Sequence, residues 1–460
     1  MLFFIRINFL FSLDFNVFSC IIFTNIFFRK EIKMENKQYD VIVVGGGFTG
    51  CAAALSASRN GMKVLLTDSS GYLGGAASNN LIFPFMPYYT NIKDADNKTI
   101  KQYLSSGILS EIISELKKDG YQNSDMEFMN EGLKLVLDEK LTAAGVDVLF
   151  HATLCGVKKE GTHIESVSFA TKAGVLEFSS KTFIDCTGDA DLCFMSGCTT
   201  VLGRPSDSLC QPMTLCFRVI NVNKPEFWKH IEDIRKAHKE WLTAGKFSNP
   251  REDILVFDYP IEGVLHFNTT RVVKLNPVDP YDVTKAEMEA RRQVRELMNF
   301  FRETKAPGME KASLMYTASS IGVRESRMLE GEYVLTGEDL VACTKFDDSI
   351  AAGNYDIDIH NPEGAGTSHY YFKDGTWYTI PYRTLVPKRN ECDNLLVGGR
   401  CISTTHEAQA SIRIMPICCT TGEAAGVGAA VAVKSAKSVQ DADVNEIQAI
   451  LTKSGAFIGI

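Results

Sequence analysis

Three glycines spaced Gly45-x-Gly47-x-x-Gly50, with Asp68 twenty-three residues beyond the first, are the residues whose type and spacing most directly imply chemistry. Gly45 permits a tight turn, Gly47 lets the backbone approach a pyrophosphate, and Gly50 lets a following helix pack on a sheet. Phe48 and Thr49 between them place their amides at a helix start, where free N–H groups and the positive dipole end favour phosphate. A carboxylate at the distance of Asp68 accepts hydrogen bonds from ribose hydroxyls. The spacing alone recurs by chance, so its setting matters. Tyr39–Val44 is an apolar, β-branched run that reads as a buried parallel strand. A helical stretch through Ala54, Leu55 and Ala57 ends near Gly61, and 63–67 reads as a second strand tipped by Asp68. Strand, glycine turn, helix and acid-tipped strand together predict a dinucleotide site.

Further segments carry matching pieces. Loop 71–78 holds Gly74, Gly75 and Ser78 directly beyond the acid-tipped strand. A helix over 131–143, a strand over 146–150 and alternating runs at 163–169 and 175–178 lead to a strand at 182–185, followed by Thr187, Gly188 and Asp189. Near the end, 394–397 reads as a buried strand entering Gly399 and Arg400, followed by His406, Arg413 and Met415. Pro416 suits the first position of a helix. Gly422 to Gly428 follows no strand and reads as helix packing rather than a second fingerprint.

On these strings, with 322–327 and 381–387, the chain resembles the bacterial FAD-dependent oxidoreductase family over roughly 39–433, a relative of the glutathione-reductase-type flavoproteins. The resemblance implies FAD as cofactor. It implies that Gly74, Gly75 and Ser78 lie along the pyrophosphate toward the flavin, with Thr187, Gly188 and Asp189 beside the cofactor. Gly399, Arg400 and Met415 would complete the site, the late helix aiming its amino end at the ring carbonyl. A helix start also suits the negative charge of a reduced flavin. The implied fold is α/β: a Rossmann-like FAD-binding domain of the glutathione-reductase type from 36–90, 130–200 and 385–435, with an inserted α+β substrate domain over 201–384.

Three side chains are candidates for substrate chemistry. His406 follows the flavin-side strand, and histidine is the side-chain type suited to the proton that accompanies hydride transfer. Arg324 and Arg327, three apart, would share a face if helical, and one could clamp a carboxylate, an internal pairing with Glu325 or Glu330 being the equal alternative. Arg413 precedes the late helix and suits a substrate anion or the charge of a reduced flavin. Residues 353–371 gather Asp356, Asp358, His360, His369, Tyr370 and Tyr371 between glycines and a proline, as an active-site loop does. Residues 281–304 read as an amphipathic scaffold helix. No CxxC pair and no second nucleotide fingerprint occur, which disfavours a disulfide reductase. The expected reaction is hydride transfer between a small organic molecule and the flavin, with an unknown diffusing electron donor or acceptor. The alternatives are a flavin-dependent isomerase or hydratase, a redox sensor, and a plain NAD dehydrogenase, which the 74–75 loop and the 399–415 site weaken.

Composition bounds the rest. A chain of 460 residues exceeds one usual core, so two domains are expected. A net charge of −8 without basic runs argues against nucleic acid. The thirteen scattered cysteines form no metal-site pattern, so no metal is expected and a reducing cytoplasm is. Residues 1–33 hold nine of the 28 phenylalanines and no Ala, Gly or Pro. Their longest uncharged run is too short to span a bilayer, so the segment is read as non-native, with Met34 the start and no membrane partner expected.

Overall fold

Val41, Ile42 and Val43 are all fully buried, and a strand that is apolar on both faces must be covered on both. The structure, a computed structural model, describes residues 38–122 and 124–460; the 1–33 extension and the expected start at Met34 lie outside them. Tyr39–Val44 is the middle of five parallel strands, in the order Asp147–Leu149, Val64–Thr67, Tyr39–Val44, Gly174–Asp185 and Leu395–Val397. Thr153–Glu160 and His163–Thr171 extend the same sheet as an antiparallel meander. The runs expected at 175–178 and 182–185 are one twelve-residue strand. Ser179 pairs with the meander and Ser180 with the parallel sheet, so the intervening backbone is held from both sides.

Two helices press against each other beside this sheet: Phe48–Arg59, which follows the first glycine turn, and Met415–Ser435. Their contact is backbone on backbone. A Cβ on Gly422 would lie 2.2 Å from the Thr49 carbonyl oxygen, and one on Gly426 2.2 Å from that of Ala53. The Ser56 hydroxyl donates across the contact to the Glu423 carbonyl at 2.8 Å. Met415–Ser435 is long and apolar enough to cross a membrane, but 94% of its most apolar window is buried inside the protein, as befits a core helix. It begins at Met415, so Pro416 takes its second position rather than the first.

The middle of the chain builds a second hydrophobic core. Four antiparallel strands run in the order Val256–Asp258, Leu265–Phe267, Phe217–Ile220 and Ser313–Thr317. Helix Pro280–Glu303 turns Ala290, Val294, Leu297 and Phe301 into this core, and Asp279 caps its start by accepting from Tyr281 N and Asp282 N. Two expectations need correction. Residues 353–371 are mainly a hairpin, Ile357–His360 against Thr367–Tyr370, rather than a loop. Arg324 and Arg327 do not share a helix: Arg324 lies in a bend and Arg327 in strand Arg327–Leu329. Gly322 exchanges backbone hydrogen bonds with Thr214, which holds this stretch extended.

Glu423 is buried on Met415–Ser435, where its carboxylate accepts from Ile108 N at 3.0 Å and from the Ser454 hydroxyl at 2.9 Å. Burial pushes its pKa up to about 7, against those two hydrogen bonds. The folded protein therefore binds this proton more tightly than the unfolded chain does. Stability falls as pH rises from the unfolded value near 4.5 to about 7, by roughly 3 kcal/mol at most, and is flat above. Glu423→Gln should remove that slope in denaturant titrations across this range. Gly422→Ala should destabilise by about 1–3 kcal/mol in the same assay, because the methyl meets backbone that cannot yield without parting the helices.

Candidate functional site

The two cofactor-type segments meet. Gly45, at φ +102°, makes the turn out of the first strand, and a Cβ there would lie 2.4 Å from the Cys186 carbonyl oxygen. Gly47 precedes helix Phe48–Arg59, whose start carries no side-chain cap, so the amides of Phe48, Thr49 and Gly50 are available to a ligand. The Gly74 amide donates to the Gly46 carbonyl at 2.9 Å, which lays the second glycine pair across the first turn. Asp68 accepts from Gly46 N at 2.6 Å on one oxygen and from Ser70 N and Oγ on the other. This fixes the carboxylate while leaving lone pairs for hydroxyls. Ser78 Oγ is buried with no hydrogen-bond partner.

The later segments close on the same place. Asp185, fully buried at a strand end, accepts from Thr187 N and Oγ1 and from Cys193 N, which shapes the Thr187–Gly188 turn. Gly399 sits against Thr49: a Cβ on it would lie 2.4 Å from the threonine Oγ1. Met415 opens a 21-residue helix whose start also has no side-chain cap. The Asp189 and Arg400 side chains, by contrast, pair with each other at 2.6 Å. Arg400 further donates to the carbonyls of Gly188 and Val323, and Asp189 accepts from the Ser326 hydroxyl. Those two side chains thus tie the cofactor-side turn to segment 323–327. Arg327 adds an ion pair to Asp191, whose pKa burial raises to about 6.

The proposed substrate-side residues form a connected polar layer. His406 Nδ1 lies 2.7 Å from Glu325 Oε1, with the histidine 5% exposed and the glutamate fully buried. Gln211 links the parts: its amide donates to Glu325 Oε2, its side-chain nitrogen to Gln409 Oε1, and its side-chain oxygen accepts from His360 N. Gln409 donates in turn to the Arg324 carbonyl at 2.7 Å. Arg324 points its guanidinium to Pro212 O and Thr214, not to Glu325 or Glu330. Arg413 Nη2 lies 3.4 Å from Asp358 Oδ2. His406 also lines a cavity of about 440 Å³ with Thr404, Thr405 and Met328. Sequence reasoning missed Gln211 and the role of Glu325, since Glu325 stands 81 residues from the histidine it holds.

The family model described as FAD dependent oxidoreductase matches residues 40–451. The chain belongs to that family. Its cofactor is FAD, and its core is a parallel-sheet FAD-binding core. Aerobic glycerol-3-phosphate dehydrogenase of Staphylococcus haemolyticus is 43% identical over 54 residues, 11% of this chain and 10% of that protein. The Staphylococcus aureus (strain USA300) enzyme of the same name is 41% identical over 56 residues, 12% and 10%. The chain thus matches about a tenth of the length of these curated relatives. Among solved structures, p-nitrophenol 4-monooxygenase from Pseudomonas putida is similar at a TM-score of 0.44 and 13% identity, covering 93% of this chain and 90% of that one. The myxobacterial chondrochloren halogenase is similar at 0.41 and 12%, covering 91% and 79%.

The residues present fit FAD. Two uncapped helix starts, the Asp68 carboxylate and the open space at Gly47 supply what a pyrophosphate, a ribose and a ring carbonyl need. A Cβ on Gly47 would have a single neighbour within 4 Å, Gly75 Cα at 3.8 Å, so the fold itself leaves room for one. Gly47→Ala should therefore change the stability of the FAD-free protein by about 1 kcal/mol or less. It should also lower the FAD released on denaturation well below one per chain. Gly50→Ala, with its methyl 1.8 Å from the Gly45 carbonyl oxygen, should lose stability and FAD together.

Proposed function

We propose that this FAD-dependent oxidoreductase moves a hydride between a small organic substrate and the flavin, with His406 carrying the accompanying proton and Glu325 positioning it. The observation that carries this reading is the buried 2.7 Å contact between His406 Nδ1 and Glu325, at a histidine that also lines a cavity. A carboxylate accepts only, so Nδ1 donates, and Nε2 is the nitrogen left to exchange a proton with a bound molecule. The Phe48–Gly50 amides, Asp68 and the 74–78 loop would hold the cofactor, and the Met415 helix start would favour negative charge beside it. When bound, FAD supplies the two-electron exchange with substrate. Arg324 and Arg413 are assigned to the substrate side.

The arrangement is read as glutathione-reductase-type, with 36–90, 130–200 and 385–435 holding the cofactor and 201–384 serving the substrate. The parallel strands before residue 186 and after residue 394, joined by the paired helices, support this division. The electron partner is a diffusing molecule, and the compartment a reducing one, in keeping with free cysteines throughout the described residues.

The test is anaerobic: purified protein is mixed with candidate metabolites and bleaching of the flavin spectrum is followed by stopped flow. A substrate that bleaches wild type should do so about a hundred-fold or more slowly in His406→Gln, at unchanged FAD content. Glu325→Gln should slow it less and shift its pH profile. Full rates in both variants would remove the pair from the mechanism. Conversion of substrate with no electron acceptor and no bleaching would mean an isomerase or hydratase instead.

A further inference from the structure

Arg251, Arg271, Arg324 and Arg413 come from four separate segments and lie in one another's field. Arg251 is 8% exposed and Arg271 1%. Asp358 and His360 connect them: Asp358 Oδ2 is 3.4 Å from Arg413 Nη2 and 3.3 Å from His360 Nε2, and His360 Nδ1 is 3.0 Å from Arg271 Nη2. Arg271 donates at that contact, so His360 Nδ1 accepts, Nε2 carries the hydrogen, and the ring is neutral. The balancing carboxylates are Asp358, the half-exposed Glu252 at 3.3 Å from Arg271 Nη1, and the half-exposed Asp253, which also pairs with Arg235 at 3.4 Å. Four guanidinium groups thus face three carboxylates, of which only Asp358 is buried.

Hydrogen bonding shows the same deficit. Nη1 of Arg251, Nε of Arg271 and Nε of Arg413 are buried and have no hydrogen-bond partner among the described residues. Burial, then Arg413, Arg251 and Arg271, push the Arg324 pKa down to about 9, and burial followed by Arg271 pushes Arg251 to about 10. Uncompensated buried charge lowers stability, and a purely structural cluster would bring its own acceptors. An added anion with several oxygens would answer both deficits, since guanidinium forks match carboxylate and phosphate oxygens. Arg271 also borders a surface cleft of about 680 Å³, together with Lys285 and Arg292.

We infer that these four arginines, around Asp358 and His360, bind an oxyanion-bearing substrate: a small carboxylate or phosphate ester of up to two negative charges. The inference rests on the reading that this chain oxidises or reduces a small molecule, and it names that molecule's class. Arg413 stands two residues before Met415, which opens the helix assigned to the flavin.

The experiment is calorimetric titration of the FAD-loaded full chain with malonate and with inorganic phosphate, malonamide being the uncharged control, and thermal unfolding is recorded beside it. At least one oxyanion should bind and raise the unfolding midpoint, and malonamide should do neither. Malonate alone would assign a carboxylate, and phosphate alone a phosphate ester. Arg251→Gln should weaken binding by about ten-fold or more without lowering the ligand-free midpoint, because it removes a like charge the fold does not need. Arg413→Gln, at a less buried position, should weaken binding similarly, and both should keep FAD. If neither anion binds, or if both variants bind as tightly as wild type, the inference falls. Bleaching of the flavin by an uncharged metabolite in that case would leave the redox reading standing. Failure of any metabolite to bleach the flavin would remove that reading while leaving the anion result intact.

Discussion

The backbone contact between helices Phe48–Arg59 and Met415–Ser435 is the constraint on which the rest depends. Backbone meets backbone at Gly422, Gly426 leaves room only for the Ser56 hydroxyl and the Ala53 carbonyl, and the Ser56 to Glu423 hydrogen bond across the contact joins residues 367 apart in sequence. Closing so long an excursion costs little more entropy than closing a shorter one, so an extensive insertion is tolerable provided the closing contact is tight. Close packing of small residues supplies that tightness. One consequence is geometric: Thr49, in the first turn of the earlier helix, touches Gly398, Gly399 and Gly422. Residues with no local relation thereby become walls of one site.

The segment between the two halves is not loosely hung on this frame. Asp189 accepts from Arg400 and Ser326, Asp191 pairs with Arg327, and Arg400 reaches the Val323 carbonyl. These partly buried charges are satisfied only while the 187–191 turn and the 323–327 segment stay in register, and losing one partner would leave the other desolvated and alone. Glu325 lies within that clamped stretch. Its place beside His406 is therefore supported by Asp189, which accepts from the neighbouring Ser326 and from Arg400.

The strand–turn–helix unit proposed to hold the cofactor was readable as structure in the sequence because its determinants are local. Gly45, Gly47, Gly50 and Asp68 act through a turn, a helix start and a strand tip, all within one supersecondary unit, and the continuous apolar run 41–44 announces a strand covered on both faces. The middle of the chain was less readable because its side chains are placed by distant partners. A three-residue spacing suggested a helix at Arg324 and Arg327, yet Gly322 pairs with Thr214 and Arg327–Leu329 with Thr200–Leu202, so tertiary pairing overrode the period. The polar run 353–371 suggested a loop, and cross-strand pairing of His360 with Thr367 made it a hairpin. Arg251 and Arg271 went unnoticed, although an arginine inside the uncharged stretch 267–273 is the kind of residue that must find a partner when buried.

Charge is distributed in a way that composition conceals. The chain carries a net charge of −8, yet four arginines gather around a single buried aspartate. The long-range field of such a molecule repels extended polyanions, while at short range the low-dielectric surroundings strengthen the attraction of the cluster for any anion small enough to enter. In the proposed site size and charge are thus selected together: an uncharged metabolite gains nothing from the guanidinium groups, and a small oxyanion satisfies them. The stability given up to hold four like charges close together is consistent with a site shaped by what it binds rather than by the needs of the empty fold. The same reasoning explains why His360 is neutral at the centre of the cluster. A fifth positive charge there would repel its neighbours, whereas a neutral ring can donate to Asp358 and accept from Arg271, fixing two charged groups without adding to the excess.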